Sequence, residues 1–261
     1  MLRSEMEPSR VVLHQFVSSH FNEKARWALD WKGVPHRRIT YFPGPHALAM
    51  QRLSGQRATP VLVLDGEVIA GSARIIAALE RRFPERPLVP GDPKLAERAR
   101  ALGAHFDDEV GPAVRTAVFS VLIREPDQLC RTFSQGKPAW SSALYRALFP
   151  LTRPIIGRAN GVTDAANIER AFAISEAALD QVAREASASG QLVGDAFSVA
   201  DLTCAALLAP LVAPDHPDMR PPAPRPPALE AFLARFASHA GVAWVREQYR
   251  RHRPAPCAVP G

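Results

Sequence analysis

The chain has 261 residues, of which 47% are hydrophobic and 22% are charged, and its formal net charge is +6. These values are typical of a globular chain with one large or two modest domains, and they exclude wholesale disorder. The longest apolar stretch, Leu202 to Pro214, is shorter than the roughly 18 residues that a membrane span needs.

The N-terminus and the cysteines indicate location and metal content. Met1 to Arg10 contains no apolar run of the kind found in a secretion signal. The three cysteines are far apart and form no CxxC pair, which favours neither a disulfide framework nor a zinc site. We therefore expect a cytoplasmic protein without a metal centre.

Proline is unusually abundant, with 25 residues against a usual share of about 5%. Because proline is costly inside helices and central strands, proline-free windows show where regular structure forms. The four prolines at 84–93 predict a domain boundary. The eight between Pro210 and Pro227 predict one extended connection between helices.

The first third of the chain predicts alternating strands and helices. Residues 11–16 are β-branched and apolar, which predicts a strand, and an apolar helix face follows until Gly33-Val34-Pro35 ends it. Residues 38–42 predict a second strand, and a short helix follows around Leu48 to Leu53.

A β-hairpin is the clearest local signal. Val61 to Leu64 and Glu67 to Ala70 are joined by Asp65-Gly66, a pair that suits the positive φ angles of a tight turn. Ser72 can cap the next helix, whose apolar side extends to Phe83. The element order is therefore β-α-β-α-β-β-α.

The rest of the chain has helical patterning, in segments 94–123, 163–188, 198–209 and 228–248. Segment 124–162 has a basic amphipathic pattern, which Pro150 and Pro154 predict to be broken. Such a pattern can lie on a membrane surface, cover a cleft or extend a dimer contact. We favour packing against the rest of the protein.

This order of elements, together with the segment Ser18 to Leu29, resembles the soluble glutathione transferase family. In that segment Ser19 falls on the catalytic position of the serine- and cysteine-type classes. The resemblance implies an α/β thioredoxin-like N-terminal domain at 10–86 that binds glutathione. It implies an all-α C-terminal domain at 92–253 that binds the second substrate.

Two short motifs would hold glutathione. Thr59-Pro60 resembles the family's X-Pro pair, so Pro60 is expected to be cis, the only such proline, with the Thr59 backbone pairing with the peptide part of glutathione. Gly71-Ser72 matches the family's acidic-residue-then-Ser pair, with Ser72 holding the γ-glutamyl carboxylate or acting only as an N-cap. Gly71 departs from the pattern, which weakens the implied binding. Arg57 either contacts the glycyl carboxylate or is a solvated loop charge.

The helical half carries one structural motif and several pocket candidates. Gly194 to Asp201 resembles the family's capping box, with Ser198 as cap and Phe197 as staple. The resemblance also implies that four residues face the substrate: Phe21, Phe106, Arg115 and Phe119. For the aromatic residues among them, packing in the helix core is the alternative.

The implied function is conjugation of glutathione to a hydrophobic electrophile by a homodimeric enzyme, with Ser19 stabilising the glutathione thiolate. Isomerisation, dehalogenation and ether cleavage would use the same thiolate. A non-catalytic binding module is the alternative that Gly71 favours. The basic tail Arg246 to Arg253 carries no recognised nucleic-acid motif, so we expect no nucleic-acid partner.

Overall fold

The structure is a computed structural model, and it describes residues 10–259. The segment that argued against a secretion signal lies outside these residues, apart from Arg10. The expected β-α-β-α-β-β-α order is confirmed, and its elements are β1 Val11–Gln15, α1 His20–Trp31, β2 His36–Thr40, α2 His46–Ser54, β3 Val61–Leu64, β4 Glu67–Ala70 and α3 Ser72–Arg82.

These four strands and a fifth, β5 Ala258–Val259, form one mixed sheet in the order β4-β3-β1-β2-β5. β1 pairs with β2 in parallel and with β3 antiparallel, so Leu13 lies between Arg38 and Leu62. The fifth strand, Ala258–Val259, pairs with β2 and was not expected. Two residues are too few to carry a periodic signal. The end of the chain thus returns to the first sheet.

The remainder is helical, in the elements α4 Pro93–His105, a π-helical turn Phe106–Val110, α5 Gly111–Leu122, α6 Pro126–Ser134, α7 Ala139–Ala159, α8 Ala165–Glu185, α9 Val199–Val212, α10 Pro227–Phe236 and α11 Ala240–His252. The single helical segment expected at 228–248 is two helices. They are separated where His239 begins α11 by accepting a hydrogen bond from the Gly241 N–H.

Two expectations about proline are wrong. Helix α7 continues through Pro150 and Pro154. Both prolines are exposed, so water can satisfy the carbonyls that lose a helical partner there. Pro60 is cis, but the Ala223-Pro224 bond is cis as well. The motif that pointed to Pro60 has no counterpart at Pro224, and X-Pro bonds favour trans by only about 0.5–1 kcal/mol.

Segment 124–162 packs on one face only. Tyr145, Phe149 and Ile156 are buried against α6, whereas an apolar stripe on α7 stays exposed, comprising Trp140, Leu144, Leu148, Leu151 and Ile155. Within residues 10–259, no helix combines the length and apolarity that crossing a bilayer would require.

The capping box at α9 is confirmed, and it helps to join the two halves. Ser198 caps the helix, and the Asp201 carboxylate accepts hydrogen bonds from the Ser198 and Leu192 N–H groups. Phe197 stacks on Trp27 of α1, at a ring distance of 5.8 Å. Helix α1 is therefore held between the sheet and the helical half.

Candidate active site

A cavity of about 820 Å³ lies between the two halves. Its walls come from the β1–α1 turn, the loop before β3, and helices α5, α6 and α7. Among the described residues that line it, the only formally charged side chains are Arg57 and Arg115, and none is acidic. The cavity therefore has an apolar wall and a positive charge balance.

Ser19 lies in this wall, at the N-cap position of α1. Its carbonyl accepts the first helical hydrogen bond, from Glu23, but its hydroxyl makes no capping hydrogen bond. The preceding Ser18 has a positive φ of 57°, and its buried Oγ has no hydrogen-bond partner within residues 10–259. The Ser19 hydroxyl is thus left free to interact with a ligand at the positive end of a helix dipole.

Arg26 holds the backbone around Ser19 in place. Its guanidinium is buried and donates to the Phe16 carbonyl at 3.1 Å and to the Ser19 carbonyl at 3.3 Å. It also forms an ion pair with Glu23 at 2.8 Å. This role of Arg26 could not be predicted from the sequence, because the contacts join residues in a turn whose shape is set by the tertiary structure.

The Thr59-Pro60 loop is tied to the same helix. Asn22 of α1 is fully buried and donates from Nδ2 to Thr59 Oγ1 at 3.2 Å. The Gly71 N–H donates to the Pro60 carbonyl at 2.9 Å. The start of α1, the Pro60 loop and the start of α3 therefore form one connected unit.

Gly71, and not Ser72, occupies the N-cap of α3, so the expected capping role of Ser72 is wrong. Gly71 has φ +94°, a backbone conformation that favours glycine, which explains its position at the turn. Ser72 is the first helical residue and is buried. Neither Gly71 nor Ser72 is among the residues that line the cavity.

The other pocket candidates divide into two groups. Phe21, Arg115 and Phe119 line the cavity, as do Thr59 and Arg57. Phe106 is fully buried within the π-helical turn and does not line it, which corresponds to the helix-core alternative. The cavity also includes residues that the sequence did not indicate, contributed by the β1–α1 turn, α2, α6 and α7: Phe16, His46, Phe133 and Ile156.

His20 is an uncharged member of the wall. Burial, followed by the nearby Arg115 charge, lowers the pKa of His20 to about 3. Its Nε2 lies 3.0 Å from the Gly111 carbonyl, so this nitrogen carries the proton and donates. Gly111 immediately follows the π-helical turn, so the turn presents an acceptor to His20. At neutral pH the positive charge of the cavity therefore comes from its two arginines.

Comparison with protein families agrees with this architecture. The model described as glutathione S-transferase, N-terminal domain, matches residues 13–87, and the model of the C-terminal domain matches residues 165–235. Together they cover more than half of the sequence. The chain belongs to the glutathione S-transferase family.

Individual relatives are more distant. Maleylpyruvate isomerase from Ralstonia sp. is 31% identical over 103 residues, or 38% of this chain and 49% of that protein. Glutathione S-transferase 1 from Dianthus caryophyllus is 36% identical over 92 residues, or 34% of this chain and 42% of that protein. The chain spans about half the length of the curated relatives it matches.

Solved structures match over nearly the whole chain. The β-etherase LigF from Sphingobium sp. aligns with a TM-score of 0.61 at 19% identity, covering 92% of this chain and 99% of that one. A glutathione S-transferase from Methylobacterium radiotolerans, in complex with glutathione sulfonate, aligns with a TM-score of 0.59 at 20% identity, covering 97% and 98%. These likenesses establish the fold, a thioredoxin-like domain followed by a helical domain.

Proposed function

We propose that the protein is a glutathione-dependent transferase in which Ser19 stabilises the thiolate of glutathione for attack on an electrophile held in the cavity. The observation that supports this most directly is the Ser19 hydroxyl. It lies at a helix N-terminus and in the cavity wall, yet it does not cap the helix. A serine that served only helix stability would make the capping hydrogen bond.

The energetic requirement is modest. Glutathione supplies a thiol whose ordinary pKa is about 8.5, and lowering that value by two units needs about 2.7 kcal/mol of preferential thiolate stabilisation. A helix N-terminus contributes about 0.3–1 kcal/mol, and a hydrogen bond to a charged acceptor about 1.5–3 kcal/mol. The Ser19 hydroxyl and the α1 dipole together can therefore meet the requirement without a charged group.

The donors of the N-terminal half suit the rest of glutathione. Arg57, in the cavity wall, would hold the glycyl carboxylate, and the Thr59 backbone would pair with the peptide. The free N–H groups at the start of α3, with the Ser72 hydroxyl, would hold the γ-glutamyl carboxylate. Apart from its chain neighbours, no described residue has an atom within 4 Å of the position where a Gly71 side chain would begin. The family pattern has an acidic residue at this position, and the loss of that partner for glutathione costs about 0.2–1 kcal/mol at a partly exposed site.

The reaction type is proposed as transfer to an electrophile in the helical half. The relatives named as a maleylpyruvate isomerase and a β-etherase favour isomerisation and ether cleavage as second candidates. All three reactions need the same thiolate, so Ser19 would have one role in each. A cytoplasmic homodimer is part of the proposal.

The test is a titration of glutathione followed by thiolate absorbance across pH. We expect Ser19→Ala to raise the pKa of the bound thiol by about one to two units relative to wild type, since it removes a hydrogen bond to the charged form. Ser187→Ala is the matched control, because Ser187 is exposed and lies outside the lining of the cavity. If glutathione binds but neither wild type nor any variant gives a thiolate signal, the catalytic role is rejected. If glutathione does not bind at all, the result favours a non-catalytic interaction module.

A further inference from the structure

Arg115 is a charged side chain in an apolar wall, and it has no carboxylate partner among the described residues. It projects from α5 into the cavity, and its Nε is buried with no hydrogen-bond acceptor within residues 10–259. No ion pair of Arg115 occurs in that part of the chain either. By contrast, the buried Arg26 and Arg253 both have carboxylate partners.

This arrangement is unfavourable for the protein alone. Burial lowers the pKa of Arg115, and no carboxylate of the described residues offsets that burial. Its described favourable contact is with the ring of Phe21, 5.9 Å from the guanidinium carbon, and a cation–π contact compensates only part of the desolvation cost. A guanidinium has five N–H donors and is suited to bidentate pairing with a carboxylate. The Arg115 guanidinium is therefore available to pair with an anionic group of a ligand.

The surroundings indicate what kind of molecule carries the anion. Val118, Phe119 and Leu122 follow Arg115 at helical spacing and line the same cavity. Phe21 completes an apolar surface around the guanidinium. A ligand that fits this surface has an apolar, ring-containing body with an anionic group at one end.

The two cavity arginines serve different halves of the site. Arg57 comes from the loop before β3, next to the residues proposed to hold glutathione, whereas Arg115 comes from the helical half. No acidic side chain among the described lining residues competes for either of them. The proposed function assigns Arg57 to the glycyl carboxylate of glutathione, whereas it assigns no ligand group to Arg115.

We propose that the second substrate is an aromatic or similarly apolar electrophile that bears a carboxylate, and that Arg115 binds this carboxylate. The inference rests on the proposed function, because it names the substrate class of the same site. Arg115 contacts a part of the substrate that does not react. Its contribution is then equal in ground and transition states, so it acts on KM and not on kcat.

The test compares two aryl chlorides that differ by one group, chlorodinitrobenzene and chlorodinitrobenzoate. We expect wild type to have the lower KM for the benzoate. We expect Arg115→Met to raise that KM by about ten- to a hundredfold, as for a lost hydrogen bond to a charged group, and to leave the neutral substrate within about threefold. The KM of Arg115→Lys for the benzoate should lie between those of wild type and Arg115→Met, because lysine keeps the charge and loses the bidentate geometry. Arg98→Met, on the exposed surface of α4, is the matched control.

Binding of unreactive dinitrobenzoate and dinitrobenzene, measured by calorimetry, separates this proposal from the proposed function. If no thiolate forms but dinitrobenzoate binding still depends on Arg115, the proposed function fails and the anion site stands. Equal losses for both aryl chlorides, or a raised pKa of the bound thiol in Arg115→Met, would overturn the proposal by assigning Arg115 to the thiolate. We expect Arg115→Met to melt no lower than wild type, since it removes an unpaired charge.

Discussion

Replacing Arg253 by Met should destabilise the protein strongly, because Arg253 completes a buried cluster of charges. Its guanidinium is fully buried at the end of α11 and pairs with Glu23 at 2.7 Å, Asp30 at 2.8 Å and Asp218 at 2.9 Å. The other two cations of the cluster are Arg26 and Arg38. The cluster therefore has three carboxylates and three guanidinium groups, and the substitution leaves a net negative charge in the interior.

The magnitude follows from the burial of the partners. Removing one member of a buried ion pair costs about 3–5 kcal/mol, because the charge left behind is uncompensated. At about 2–4 °C per kcal/mol for a chain of this size, Tm should fall by roughly 6–20 °C. Arg250→Met is the matched control, because Arg250 lies in the helix that Arg253 directly follows, but its side chain is 72% exposed. Its Tm should hardly change.

The pH dependence gives a second readout. Burial opposes ionisation of Asp218, but Arg26, Arg38 and Arg253 together lower its pKa to about 2. A lowered carboxylate pKa stabilises the fold at pH above the ordinary value near 3.8 and ceases to do so as pH falls towards 2. In Arg253→Met the carboxylates protonate more readily, so the stability gap to wild type should narrow between pH 7 and pH 4. Urea unfolding measures the gap. The argument would be refuted if Arg253→Met lost no more free energy of unfolding than Arg250→Met. It would also be refuted if the difference in stability between wild type and Arg253→Met were independent of pH.

Two further predictions concern protonation and packing. Because the pKa of His20 is about 3 in the folded protein and near 6.5 when unfolded, wild-type stability should fall on acidification below pH 6.5, by up to about 1.4 kcal/mol per pH unit from this residue. His20→Gln should flatten that slope in urea unfolding at several pH values, and an unchanged slope would contradict the assignment. A Cβ on Gly241 would lie 2.3 Å from the Leu179 carbonyl oxygen, so Gly241→Ala should cost about 1–3 kcal/mol. The Cβ of Gly103→Ala would meet no atom of the described residues within 4 Å outside its own helix backbone, so this substitution should stabilise α4 by up to about 1 kcal/mol. Calorimetric Tm values that rank the two variants alike would disprove the clash.

The sequence determined four of the five described strands and the ends of several elements, because local chemistry specifies them. The Asp65-Gly66 turn set both hairpin strands, and Ser198 with Asp201 set the start of α9. Periodicity was sufficient for helices with one apolar face, but it could not show that α7 continues through two exposed prolines. It also could not separate α10 from α11, since both present apolar residues at helical spacing.

Of the site, the sequence identified Ser19 and the Pro60 loop as candidates, and only the tertiary structure decided what surrounds them. The support of the Ser19 carbonyl by Arg26 and the wall contributed by α6 and α7 depend on contacts between distant segments. The same is true of the burial of Phe106 and the unpaired state of Arg115 within the described chain. Spacing along one chain indicates which face a residue occupies, whereas burial and charge pairing depend on what packs against that face.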